Sequence, residues 1–447
     1  MNNKKIQHQR RTELGLIIFG SFVVTLLYFL AGFGNSSSVP ADLVPFFIVV
    51  LGLGVLTHLV VRKFAPSADP VILPIVIFLN GLGQVFITRL SHENGVADEL
   101  PALQSTWTAV GVAAFIFVLI FVRNSHDLKT HRYTFGVIGI VLLTLPLLPF
   151  IGREINGARI WASIGPINLQ PGEFARLAFA IFLAAYLVEK KELLQVGTRK
   201  IFKFEVPSWR HLSPVLLAWA FAMLVLIAGK DLGSSLLYFA LFAIMLWTAT
   251  QRFSYLAISF GLFICGALIS WRIFEHIQAR ISVWHDPWAF RSGSGYQLVE
   301  AAIAMANGGL IGTGIGSGEP NRIPEVETDF IFAAIGEEMG LLGTVLIVSS
   351  FLLIINSGLR IAIKSSDAFD KLLALGLTTL IGLQGLVIMG GVVRLLPLTG
   401  VTLPFVSYGG SSLLANYILV ALLLRLSDQV KNSGSDKEKF VGEASNE

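Results

Sequence analysis

DFIFAAIGEEMGLLGTVLIVSSFLLIIN, residues 329–356, decides the fold. From Met339 to Asn356 it holds no charged residue, and its three acids, Asp329, Glu337 and Glu338, fall within its first ten positions. About 20 apolar residues coiled as a helix cross roughly 30 Å of hydrocarbon, so this run reads as a membrane span. Eleven other runs read the same way: about 14–33, 43–61, 70–88, 106–122, 134–150, 172–188, 213–229, 232–249, 254–271, 369–393 and 411–427. They are too long for strands and lack in/out alternation, and an open sheet leaves its backbone unsatisfied in lipid. The expectation is an all-α polytopic membrane protein with twelve transmembrane helices.

Composition agrees. The 447 residues are 54% hydrophobic and 14% charged, against about 25% charged in a soluble domain. That excludes a water-soluble enzyme, a nucleic-acid binder and a disordered chain. The single cysteine, Cys265, rules out an internal disulfide, and the eight histidines show no metal-ligand spacing.

Orientation follows from the basic residues. With the N-terminus inside, the inner segments 1–13, 62–69, 123–133, 189–212, 250–253, 357–371 and the tail from 425 hold 23 of the 33 Lys and Arg. That is the positive-inside pattern, and an even number of spans places both termini in the cytoplasm. Residues 1–13 read as a basic tail, 14–33 as a retained first helix and 429–447 as a disordered polar tail. Outside, residues 272–328 form one long loop, and 151–171 and 394–410 are rich in Gly, Pro and polar residues. Long outer loops are usually functional, so the chemistry is expected on the outer face, with a short helix near Val299–Met305.

Charge at membrane depth is costly and marks candidate sites. Glu173 and Arg176, three apart, share a helix face and read as a structural ion pair, with orientation of a substrate-lined cavity as the alternative. Lys230 and Asp231 make a tight outer hairpin, where Asp231 caps the next helix or serves a substrate. Asp329 lies where the long outer loop enters a span. Partial desolvation there strengthens a carboxylate as a base, and the same position suits a helix N-cap; both readings stand. Glu337 and Glu338 are expected to pack on a polar neighbour such as Arg394 or Gln384. The glycines of 308–318 fit neither nucleotide-loop template, but their amides, those of Gly312 and Gly314 included, could cradle a pyrophosphate. Pro404 to Ser412 joins an outer loop to the last helix, with Ser411 or Ser412 as its cap.

Taken together these motifs resemble the SEDS family (shape, elongation, division, sporulation), the RodA/FtsW/SpoVE-type peptidoglycan glycosyltransferases. The resemblance covers about residues 70–428. It rests on Gly157-Ala158-Arg159 with Trp161, Gln170-Pro171-Gly172-Glu173-Phe174-Ala175-Arg176, Asp231-Leu232-Gly233, Gly295-Tyr296-Gln297, the 308–318 glycines, Pro324-Glu325 with Thr328-Asp329-Phe330-Ile331-Phe332, Glu337-Glu338, and Pro397-Leu398-Thr399-Gly400 through Ser412. It implies a ten-helix core, to which this chain adds two helices over 14–61. Gly172, Arg176, Lys230 and Arg394 depart from the family's usual residues.

The resemblance further implies lipid II as substrate, polymerised at the outer face of the bacterial cytoplasmic membrane. Asp329 stands at the family's essential aspartate. Arg159, Lys230, Asp231, Tyr296, Gln297, Gly312, Gly314, Glu325, Thr328, Ser407 and Ser411 become substrate-binding candidates. A class B penicillin-binding protein is the implied partner, with membrane lipids around the helices, and a divalent cation, Mg or Mn, is the one cofactor the resemblance allows. A lipid II flippase and a non-catalytic scaffold are the alternatives.

Overall fold

The computed structural model describes residues 3–36, 38–93, 99–155, 158–165, 167–192, 198–201, 204–207, 216–217, 219–220, 223–225 and 229–444. Ten of the twelve expected spans are helices long and apolar enough to cross a membrane. The eleventh, expected at 134–150, is a shorter apolar helix over Arg132–Leu147. The twelfth, 213–229, lies largely outside the described residues.

The chain divides into two compact units. The first holds Met1–Arg123, Ile281–Ser357 and Gln384–Glu447. Its helices are α1 (Asn3–Ser36), α2 (Leu43–Phe64), α3 (Ile72–Glu93) and α4 (Glu99–Phe121). The first two are the pair outside the resemblance, and they are packed into the unit by buried charge. Glu13 lies 2.5 Å from Arg10 and 2.6 Å from His58 of α2, and all three are buried. Arg10 also donates to the carbonyl of Ala68. The expected basic tail over 1–13 is therefore the first turns of α1: two opposite charges three apart, closed by a histidine, satisfy one another away from water.

The second unit holds Asn124–Arg280 and Gly358–Leu383. It contains α5 (Ser125–Thr130), α6 (Arg132–Thr144), α7 (Pro171–Glu189), α8 (Leu232–Thr250) and α9 (Phe253–Ile273). The membrane-spanning part is helical, as expected, and two small sheets lie between the helices. Three short strands, β1 (Gly152–Ile155), β2 (Ala158–Ile164) and β3 (Ile167–Leu169), form an antiparallel sheet, with Arg153 opposite Trp161 and Ser163 opposite Asn168. A second hairpin pairs β4 (Thr198–Ile201) with β5 (Phe204–Pro207). Both lie outside the spans, where water or a partner strand satisfies the backbone. β-branched and aromatic residues, as in Arg159-Ile160-Trp161, favour the pleat.

The long loop over 272–328 contains α10 (Glu275–His285) and α11 (Tyr296–Gly308), the latter covering the helix expected near 299–305. It leads into α12 (Ile331–Lys364), then α13 (Ala368–Val392) and α14 (Gly410–Ala444). The last helix continues through the tail that had been expected to be structureless.

α12 is broken. Gly340 sits at φ 63°, ψ −157°, so the span is two helices end to end. A break inside a membrane orphans carbonyls on one side and amides on the other. The glycine loop satisfies both: Thr313 and Gly314 amides donate to the carbonyls of Glu337 and Glu338 at 2.9 and 3.2 Å, while the Leu341 and Leu342 amides donate to the carbonyls of Gly309 and Leu310 at 3.0 and 3.3 Å. A Cβ on Gly340 would lie 2.4 Å from the Gly312 nitrogen. Only glycine takes this backbone without strain of about 1–3 kcal/mol, and overpacking adds a similar amount. Gly340→Ala should therefore lower stability by about 2–6 kcal/mol, read as a fall in the thermal unfolding midpoint in detergent.

Candidate active site

Asp329 is half-buried, two residues before the first half of α12, and residues 330–338 behind it are all buried. Local backbone bonds form the turn: the Thr328 and Asp329 amides donate to the Glu325 carbonyl at 3.2 and 3.1 Å, and the Thr328 hydroxyl donates to it at 3.1 Å. Glu325 takes φ 56° to make that turn.

The turn is strapped from two directions. The Ser407 hydroxyl donates to the Thr328 carbonyl at 2.5 Å and accepts from the Leu403 amide at 2.9 Å. The next amide, Tyr408, donates to the Glu327 carbonyl at 2.8 Å. On the other side, Gln297 of α11 donates to the Pro324 carbonyl at 3.3 Å. Gly400 faces the carboxylate: a Cβ there would lie 3.7 Å from Asp329 Oδ2. Burial, reinforced by the charge of Glu327, holds the Tyr408 phenol above its ordinary pKa, so it stays a neutral hydrogen-bonding group.

The sequence candidates thus fall into groups. Gln297, Glu325, Thr328, Asp329 and Ser407 come together. Tyr296 opens α11 with its ring exposed, and Ser411 is buried in the first turn of α14. Its neighbour Ser412 accepts from Gln384 at 3.2 Å. Ser407→Ala removes one donor and one acceptor at the strap; each such bond contributes about 0.5–1.5 kcal/mol. It should reduce turnover more than folded yield, measured side by side.

The glycine loop is a correction. The amides of Gly312 and Gly314 donate to the carbonyls of Gly308 and Glu338, so they are turned onto the protein and not offered to an anion. Glu337 and Glu338 also have other partners than Arg394 or Gln384. Glu338 pairs with Arg89 of α3 at 3.2 Å and accepts from the Gly316 amide at 3.0 Å, and Glu337 accepts from the Glu319 amide at 3.4 Å. Arg394 instead donates to the carbonyls of Trp284 and His285 at 3.3 and 3.2 Å.

In the second unit, Arg159 is an exposed residue of β2, 3.8 Å from Glu154, and its amide donates to the Gly229 carbonyl at 3.1 Å. That bond sets β2 beside the hairpin of Lys230, which is exposed at φ 59°. Asp231 accepts from the Ser234 amide at 2.9 Å and so caps α8. Glu173 and Arg176 form a buried ion pair in α7, and Tyr238 of α8 donates to the Gly172 carbonyl at 3.1 Å. Among the described residues no three His, Cys, Asp or Glu side chains come together to hold a metal. The described residues therefore offer no ligand cluster that fits a protein-held divalent cation.

Residues 70–432 match the family of cell cycle proteins named for FtsW, RodA and SpoVE. The chain belongs to the FtsW/RodA/SpoVE family. It is similar to RodA of Mycobacterium tuberculosis, named a peptidoglycan glycosyltransferase, at 42% identity over 94% of this chain and 90% of that protein. At that coverage the likeness extends well into residues 1–69, which the family match leaves out. It is also 31% identical to stage V sporulation protein E of Bacillus subtilis, over 82% of this chain and 98% of that protein. Among solved structures, a chain from a peptidoglycan synthase complex that coordinates polymerization and crosslinking aligns with TM-score 0.65 and 26% identity, over 81% of this chain and 98% of that one. The crystal structure of the rod shape determining protein RodA of Thermus thermophilus shares the fold, with TM-score 0.56. With ten membrane-length helices among the described residues, this member of the family is a multi-pass membrane protein.

Proposed function

We propose that this FtsW/RodA/SpoVE member is a peptidoglycan glycosyltransferase that polymerises lipid II at the outer face of the cytoplasmic membrane, for cell elongation or division. The observation that carries the reading is Asp329: a half-buried carboxylate on a turn strapped by Ser407, Tyr408 and Gln297. A sugar hydroxyl is a poor nucleophile, and a positioned base removes that obstacle. Asp329 takes the proton from the 4-hydroxyl of one GlcNAc as its oxygen bonds to the anomeric carbon of a MurNAc. The bond from that carbon to the pyrophosphate breaks, and undecaprenyl pyrophosphate leaves with the electron pair. Cations or hydrogen-bond donors stabilise the charge that develops on the leaving group. A class B penicillin-binding protein is the partner we assign, in keeping with the synthase complex among the structural relatives.

The break at Gly340 favours a second reading, because discontinuous helices are a transporter device. A flippase would use the freed backbone groups for substrate, whereas here the glycine loop accepts and donates to them. Vesicles carrying lipid II and the purified chain separate the two. Glycosyl transfer releases one undecaprenyl pyrophosphate per sugar bond formed. A flippase moves lipid II between leaflets and releases none, and that result would replace the present reading.

A further inference from the structure

The two N-terminal helices lie outside the family match, and nothing in the proposed chemistry uses them. Their outer end nevertheless reaches the loop that mends the broken helix. Gly34, near the end of α1, packs so closely on it that a Cβ would lie 2.3 Å from the Ile315 carbonyl oxygen and 3.2 Å from the Gly316 Cα. From the core side the same loop is held by Arg89, whose side chain donates to the Gly318 carbonyl at 3.0 Å and pairs with Glu338 at 3.2 Å. Glu338 in turn accepts from the Gly316 amide. Arg89 and Glu338 are both buried. The loop is clamped between α1 and the α3–α12 ion pair.

We propose that this clamp is a positioning device for Asp329, with Gly34 and Arg89 as positioning residues, so that the N-terminal pair is part of the catalytic apparatus. The inference rests on the glycosyltransferase reading above. The physical link is the first half of α12. It begins two residues after Asp329, every side chain from Phe330 to Glu338 is buried, and its last carbonyls are bonded to the clamped loop. A packed half-helix about 13 Å long moves as a rod. A shift of the loop away from α1 is passed to the turn at the other end. Displacing a catalytic group by about 1 Å can cost on the order of 100-fold in rate.

The test uses the full chain in lipid nanodiscs with lipid II as substrate. Gly34→Leu, which forces α1 and the loop apart, should lower kcat about tenfold or more with KM close to wild type; overpacking also lowers its thermal unfolding midpoint, so kcat is compared per folded protein. Gly15→Leu is the control: it lies on the same helix, but a Cβ there meets nothing within 4 Å, and its kinetics should be unchanged. Should Gly34→Leu fail to fold, Gly34→Ala gives the same comparison with a single methyl. Arg89→Gln should also lower kcat, and Arg89→Lys, which keeps the charge toward Glu338, should recover part of it. In an Asp329→Asn background Gly34→Leu should have no further effect. Equal kinetics for Gly34→Leu and Gly15→Leu, a change in KM alone, or an undiminished effect in the Asp329→Asn background would each overturn the proposal. An inert Gly34→Leu beside an inactive Asp329→Asn removes only the clamp. A fully active Asp329→Asn removes the base, and the reading beneath both.

Discussion

Asp329→Asn should fold, bind the lipid substrate and form no glycan polymer. Asparagine keeps the size and most hydrogen bonding of aspartate but cannot take a proton from a sugar hydroxyl. The straps to the turn run through the backbone carbonyls of Pro324, Glu327 and Thr328, so they survive the substitution. Loss of a general base costs about 10² to 10⁴ in rate. A purely structural helix cap predicts the opposite outcome, because asparagine caps a helix as well as aspartate does. Side-by-side turnover and binding measurements on the two proteins separate the readings: a capping role leaves both unchanged, and a base leaves only binding.

The second large effect concerns Glu173. The pair with Arg176 is buried at 5% and 3% side-chain exposure within α7. Removing one partner of a buried pair leaves an uncompensated cation and costs about 3–5 kcal/mol. Glu173→Ala should therefore lose folded yield along with activity, read by size-exclusion chromatography of the detergent extract. The charge-swapped protein, Glu173→Arg with Arg176→Glu, should recover part of that yield because the pair is restored in reverse. A well-folded but inactive Glu173→Ala would instead make this carboxylate a substrate-handling group.

How much of this was legible in the sequence differs from element to element. The spans were, because nothing but a membrane tolerates so many uncharged runs of that length. The position of Asp329 at the start of a span was, because the change from polar loop to apolar run marks it. The glycine loop was misjudged for a physical reason. Glycines advertise free backbone geometry but do not say whose hydrogen bonds they complete, and the break at Gly340 that needs them lies 22 residues or more beyond Gly318. Ser407 was a candidate, but its bond to Thr328 crosses 79 residues of sequence and no local pattern encodes it. Arg10 and Glu13 looked like part of a solvated basic tail, since their partner His58 belongs to another helix. The sheet over 152–169 was hidden by the Gly and Pro content that marks loops equally well.

The N-terminal pair shows how the two levels join. Sequence marks it as an addition to the family core, and the relative from Mycobacterium tuberculosis extends into it. The structure then gives α1 a buried charge network at one end and a close contact with the glycine loop at the other. An element anchored at both ends is suited to transmit position, which a merely lipid-facing helix is not.

The central claim is that this chain joins sugars, with Asp329 as base. Its most direct measurement is incubation of lipid II with the purified full chain, together with a class B penicillin-binding protein whose transpeptidase is blocked, and separation of the products by size. The account predicts a ladder of glycan strands that muramidase digests, present with the wild-type chain and absent with Asp329→Asn. Lipid II left unpolymerised by the wild-type chain, or an equal ladder from Asp329→Asn, would contradict it.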